Sequence, residues 1–187
     1  AVAGCGARSA YPKSWPPVPA SASDICEGFA GTYRDVGEGV GYDGRSSPYS
    51  LTGILLGEGH PMRVTGRGVA GSQSTGAPDR VTLSFPQAGQ VDVVASGPQS
   101  QFRVYPAATM ACACREGRAI IEKRPRWVQA GEILSVARLS ETVELQSIDG
   151  WLVVKWQEQT LMLLAMVVPV PSRDSDWFRF ERYVPEP

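Results

Sequence analysis

Turn-forming residues cut this chain into pieces too short for long helices. It carries 20 glycines and 15 prolines in 187 residues, and between them lie short apolar or alternating runs. Arg80–Phe85 shows the pattern best. Val81, Leu83 and Phe85 alternate with Arg80, Thr82 and Ser84, a period of two that gives a strand one buried and one wet face. Further strand-like runs are Phe29–Tyr33, Met62–Thr65, Gln90–Ala95, Gln101–Tyr105, Gly117–Lys123, Leu134–Leu139, Val143–Ile148, Trp151–Gln157, Thr160–Val168 and Trp177–Tyr183. Asp149-Gly150 between two of them is a strong signal for a tight hairpin, and Glu116-Gly117 and Ala88-Gly89 are weaker versions. Many strands, few helices and short connections predict an all-β antiparallel meander of about ten strands, closed into a barrel or folded into a two-sheet sandwich to hide its edges.

Three stretches are less direct. The glycine-rich residues 36–50 read as a long loop. Leu51–Leu56 suits either a helical turn or a short strand. Leu161–Val170 is apolar apart from Pro169. Its prolines and valines favour a strand buried on both faces over a buried helix, and the run is too short to cross a bilayer as a helix. The formal net charge of −1 argues against electrostatic binding of nucleic acid, which needs a basic surplus. The length suits one domain. Residues 1–24 read as a separate tether, and residues 25–187 as a single β domain.

Val2-Ala3-Gly4-Cys5 resembles the bacterial lipobox, in which an apolar and two small residues precede the cysteine that is acylated after cleavage. The resemblance implies lipidation at Cys5 and a periplasmic, membrane-anchored location. The chain starts without Met, which fits processing. Gly6 rather than Asp after the cysteine implies the outer membrane. Residues 6–24, rich in Pro, Ser and Ala, read as a semi-extended linker, with Tyr11 and Trp15 lying loosely on the domain or free of it.

Gly31-Thr32-Tyr33 near the first strand and Trp177–Arg182 at the last resemble the two ends of lipocalin-like barrels, where a Gly-x-Trp and a late Arg pack together as a cation on an aromatic face. Here Tyr33 stands for the Trp. The Cys-led tether, Gly31–Tyr33, Cys114–Gly117 and Trp177–Phe180 are also similar to small uncharacterised proteobacterial lipoproteins. Both resemblances imply a β-rich periplasmic domain and say little of activity.

Four cysteines are present: Cys5, Cys26, Cys112 and Cys114. With Cys5 acylated, an oxidising compartment favours a bridge from Cys26 to Cys114 or to Cys112, since residues 112 and 114 share one strand face. A soft-metal site at Cys112-x-Cys114 beside Met110 is the competing reading, disfavoured because no His lies near.

No catalytic constellation stands out. His60, the only imidazole, sits in a turn-like Gly-Glu-Gly-His-Pro, and Ser46 and Ser47 lack a nucleophile frame. Glu38, Asp43 and Glu58 are loop acids of the type glycan hydrolysis uses, but solvated charges are the default. Gly37–Gly41 lacks the helix that phosphate binding needs. Ser172, Asp174 and Asp176 lack the order of a calcium loop. No enzyme activity, catalytic residue, cofactor or metal is expected.

The tryptophans are more telling. Trp151 and Trp156 have opposite parity on one strand, so one of them faces outward unless a bulge intervenes. An exposed Trp127 beside Arg124 and Arg126 would make a binding hot spot, and the candidate binding residues are Trp127, Arg126 and Trp151. These readings converge on a lipid-anchored periplasmic module that recognises another protein, as an inhibitor or immunity protein against an envelope-targeting enzyme. A loop such as 36–50 or 67–79 would enter the partner's cleft. The alternative is a lipocalin-like carrier of a small hydrophobic ligand held in a hollow barrel lined by 161–170.

Overall fold

The computed structural model describes residues 10–18, 26–40, 45–57, 64–65, 68–69, 78–97, 107–129, 136–164 and 168–184. Most of them are in strands. A 3-10 turn, Cys26–Phe29, leads into β1 (Gly31–Arg34), β2 (Val36–Val40) and β3 (Ser46–Ser50), and then into the one α-helix among these residues, α1 (Leu51–Leu56). After the two-residue strands β4 (Val64–Thr65) and β5 (Gly68–Val69) come β6 (Arg80–Ser84), β7 (Gln90–Ser96), β8 (Ala107–Arg115), β9 (Arg118–Glu122) and β10 (Arg126–Gln129). Three long strands end the chain: β11 (Val136–Ile148), β12 (Trp151–Leu164) and β13 (Val168–Glu181).

Eleven of these strands form one antiparallel, curled sheet in the order β1-β6-β7-β8-β9-β11-β12-β13-β2-β3, with β10 also on β11. The curl follows from the chain itself. β1 and β2 are one run broken only at Asp35, yet β1 pairs with β6 and β2 pairs with β13. An isolated bridge between Tyr33 and Arg182, and a 2.8 Å bond from the Tyr183 N–H to the Thr32 carbonyl, tie β1 to the end of β13. The sheet therefore curls back at Asp35, which brings the open side of β1 against the end of β13, while β3 ends the strand order.

Asp35 makes that corner tolerable. It is buried and every polar group is used. Its N–H donates to the Asp79 carbonyl at 2.9 Å, and its own carbonyl accepts from the Leu51 N–H at 2.8 Å. Its carboxylate accepts from the Ser50 hydroxyl at 2.8 Å and the Thr52 N–H at 2.7 Å. Ser50 Oγ in turn accepts from the Gly53 N–H at 3.0 Å and caps α1, meeting a helix start's need for acceptors. Leu51–Leu56 is thus the helical turn of the two options left open by sequence. Leu51, Ile54 and Leu55 point into the core.

Among the described residues, large apolar side chains pack on the inside of the curl. Trp156, Tyr33, Phe178, Phe180, Leu145, Leu152 and Ile121 are among its largest fully buried side chains, and they join α1 and Phe29 in one cluster. Along β12 the even residues 152, 154 and 156 face in, as period two requires. Trp156 is inside and Trp151 outside, so the opposite parity of the pair is resolved without a bulge between them.

Several expectations need correction. Residues 36–50 are not a loop: the described part is the β2–β3 hairpin. Gly37 and Gly39 serve close approach rather than turns. A Cβ on Gly39 would sit 2.5 Å from the rings of Phe178 and Tyr49, and one on Gly37 would meet the Phe180 ring and the Arg179 carbonyl. Leu161–Val170 is not one strand buried on both faces. It spans the end of β12 and the start of β13, in register Leu164↔Val168, and Leu161 and Pro169 are exposed. Leu134–Leu139 and Val143–Ile148 belong to one strand, β11, apart from Leu134 and Ser135. Those two lie outside the described residues, as do Gln101–Tyr105 and most of loop 67–79. Tight turns fall where expected: Glu116-Gly117 and Asp149-Gly150 both have positive φ at both residues, the signature of the primed hairpin turn.

Residues 10–18 dock on the outside of the sheet, where Trp15, only 5% exposed, packs with Ile148 and Val153 beside Tyr11, Val18, Val40 and Trp177. Tyr11 meets Trp15 and Trp177 edge to face at 5.9 and 5.0 Å. They are held, not loose.

Candidate functional site

The long strands outrun the rest of the sheet, and there the exposed side chains gather. β9 pairs with β11 only as far as Glu122↔Thr142, and β10 takes over at Arg126↔Leu139. Three residues, Lys123 to Pro125, stand opposite two, Ser140 and Glu141, with the Lys123 N–H still bonded to the Glu141 carbonyl at 3.0 Å. This bulge turns the strand and carries β10 out along a four-stranded ribbon of β10, β11, β12 and β13.

Register then aligns one row across the ribbon's outer face: Trp127↔Arg138↔Leu161↔Pro171. Trp127 is 62% exposed and Leu161 39%. They flank Arg138 on neighbouring strands, so their backbones lie roughly 10 Å apart, two strand spacings. Gln129, Val136, Leu163 and Pro169 form the next row on the same face. Over residues 136–140 of β11 and the positions paired with them on β10, β12 and β13, this face holds two arginines, Arg138 and Arg173, and no acid, and Glu144 lies further along β11 beside Lys155.

The inner face of the same ribbon has the opposite character. Glu141, Glu158 and Asp174 sit directly opposite one another on β11, β12 and β13. Glu141 is buried and balanced by Lys123 at 3.1 Å and Arg126 at 3.2 Å. Lys123 also donates to the Gly57 carbonyl at 2.7 Å. Burial pushes the Glu158 carboxyl above its ordinary value. The charges of Glu141 and Asp174 push the same way, while the Thr160 hydroxyl and Arg126 pull it down. Beside this group the sheet splits between β8 and residues 122–126, leaving a cleft of about 520 Å³ lined by Leu55, Met110, Lys123, Arg126 and Glu141 among others.

Of the three predicted binding residues, two are neighbours and one is remote. Arg126 turns inward to Glu141 while Trp127 faces out. Trp151 lies at the other end of β12, ten residues along from Leu161, roughly 30 Å of strand. There the Arg179 guanidinium is held between two indoles, 5.0 Å from Trp15 and 4.9 Å from Trp151, and pairs with Glu38 at 2.6 Å. Partial burial alone would raise the Glu38 carboxyl. Hydrogen bonds from Ser46 and Arg179 and the Arg179 charge outweigh it and hold Glu38 below the ordinary carboxylate value. Glu38 and Ser46 thus serve this clamp.

At the seam, Arg182 lies over Gly31, where a Cβ would come 2.8 Å from Nη2, and donates to the Ala30 carbonyl at 2.8 Å. The cation over an aromatic ring at this end is Arg80 on Tyr183, 4.9 Å away. Cys26 is bridged to Cys114, the first of the two expected pairings, and Cys112 is a buried free thiol. Ser172, Asp174 and Asp176 lie within β13 rather than on a loop. Cys5, Asp43, Glu58 and His60 lie outside the described residues.

Arg138 escaped the sequence reading and Leu161 was read as part of a buried run, although a signal for their pairing was there. The Asp149-Gly150 turn sets Ile148 opposite Trp151, and counting outward from it puts Arg138 beside Leu161. Trp127 could not be added that way, because the bulge at 123–125 has no sequence mark beyond Pro125. No family model, no curated protein and no solved structure matches the chain.

Proposed function

We propose that this chain is a lipid-anchored periplasmic module that recognises another protein through the outer face of the β10–β13 ribbon. The row Trp127–Arg138–Leu161 carries this reading. A large indole left 62% exposed, next to a guanidinium and a second apolar side chain, has the make-up of a binding hot spot. Single exposed apolar residues are ordinary, but here two flank one cation on a rigid sheet. The partner presents a carboxylate to Arg138 and apolar side chains to Trp127 and Leu161. The large aromatic and aliphatic side chains packed inside the curl among the described residues support recognition by surface over carriage of a ligand within. The anchor rests on Val2–Cys5, and an immunity or inhibitor role fits a protein that works by shape alone.

The test is capture from periplasmic extract with wild-type protein and with a Trp127→Ala/Arg138→Glu variant, followed by direct binding of the purified partner. A stoichiometric protein bound by the wild type and lost by the variant supports the reading. Equal binding by both refutes it. Mass spectrometry of membrane-extracted protein checks the anchor, which predicts acyl chains on Cys5. An unmodified cysteine there removes it.

A further inference from the structure

The three cysteines of the domain meet at one point. Cys26 sits in the turn before β1. Cys112 and Cys114 are two apart on β8 and project from the same face. All three sulfurs lie within 4.8 Å of one another. Cys26 and Cys114 are joined, and Cys112 is a third, buried thiol beside the bridge. The surroundings are apolar: Cys112 belongs to the main core cluster, and Phe85, Met110, Cys26 and Cys114 pack against it. Met110, again two residues along β8, places a thioether on this same face. One structural bridge needs two sulfurs, and this strand brings more.

We propose that the reduced form of this cluster binds one Cu(I) ion through the sulfurs of Cys26, Cys112 and Cys114. The ligand set selects the ion. Thiolate and thioether donors are soft and favour Cu(I), whereas calcium and magnesium take oxygens. Structural zinc takes four ligands, and among the described residues no His, Asp or Glu joins the three sulfurs. The spacing also fits. A three-coordinate ion roughly 2.3 Å from each sulfur sets the sulfurs about 4 Å apart, so Cys112 closes in by less than about 1 Å while the Cys26 and Cys114 sulfurs, once reduced, part by about 2 Å. Binding and bridging exclude each other, because both use Cys26 and Cys114. A dithiol reductant gives the bridge two electrons and two protons, yielding two thiols, and is itself oxidised to a disulfide. Cu(I) then replaces the protons of the thiols that bind it. This inference is independent of the outer-face reading.

The test uses protein carrying Cys5→Ser, which removes the remaining thiol, reduced with a phosphine and titrated without oxygen against Cu(I) held by a coloured chelator. The reduced protein is expected to withdraw one Cu(I) per chain with a three-sulfur X-ray absorption signature, and the oxidised protein none. Cys112→Ser keeps the Cys26–Cys114 bridge when oxidised, and after reduction is expected to hold Cu(I) about tenfold or more weakly. If reduction weakens the strand signal in circular dichroism, Cu(I) restores it. Equal uptake by Cys112→Ser, equal uptake by the oxidised protein, no uptake by the reduced protein, or a lost strand signal that Cu(I) does not restore each overturns the proposal.

Discussion

Replacing Glu158 with Gln should stabilise the protein at neutral pH and do little in acid. Glu158 stands directly opposite Glu141 on one side and Asp174 on the other, and side chains in such a row have Cβ atoms about 5 Å apart. Burial of the Glu158 carboxylate is the largest unfavourable contribution, and the charges of Glu141 and then Asp174 add to it, with Lys123 and Arg126 offsetting part of the Glu141 charge. Like charges directly opposite in a sheet cost roughly 0.2–1 kcal/mol each, and solvent screening trims the sum for a half-buried group. A gain of about 1 kcal/mol at pH 7 follows. Gln keeps the oxygen that accepts from Thr160 Oγ1 at 3.2 Å. The sign of the pH effect is fixed by the raised carboxyl. Its folded-state value exceeds the ordinary 4.5, so the folded chain holds this proton more tightly than the unfolded one. The native Glu is therefore least costly below 4.5 and loses stability as pH rises through its folded value. Urea unfolding of both proteins at pH 7 and pH 4, followed by circular dichroism, reads the difference. A less stable variant at pH 7, or a gain of the same size at pH 4, would refute the placement of these three carboxylates.

Other substitutions probe other parts of the fold. Asp35→Ala strands the Ser50 hydroxyl and the Thr52 N–H at a buried corner, and two bonds to a charged acceptor are worth about 2–4 kcal/mol together, measured as a shift in urea midpoint. Gly39→Ala drives a methyl into the rings of Phe178 and Tyr49 and should cost about 1–3 kcal/mol as overpacking, seen as a lower melting temperature. Trp15→Ala removes the indole that covers Ile148 and Val153. It should leave the sheet's circular dichroism intact while speeding trypsin cleavage after Lys13.

Strand positions followed largely from alternation, because a half-buried ribbon writes its period into the chain. Arg80–Ser84 and Val143–Ile148 show it plainly. The two Gly-ended turns at 117 and 150 were legible because only a few residue types accept positive φ. Gly37 and Gly39 misled for the same reason. Glycine marks a turn and a close backbone approach alike, and the rings that crowd these two come from residues 178 and 180, far along the chain. Trp15 was hidden by its Pro-rich setting, since its partners lie on β11 to β13. Nothing local marks Asp35 out, because its partners Ser50, Leu51, Thr52 and Asp79 come from further along the chain. Of the candidate surface, Trp127 was visible as an isolated residue. Its row with Arg138 and Leu161 depends on a register passed through a bulge, which no local pattern encodes.

The recognition surface is tested most directly by the dissociation constant of the purified partner for the wild type and for Trp127→Ala, with Val94→Ala as the exposed apolar control on another strand. A hot-spot indole lost from a binding face costs about 2 kcal/mol or more, so affinity should fall roughly thirtyfold for Trp127→Ala and stay level for the control. A partner that binds Trp127→Ala as tightly as the wild type would contradict recognition through this face.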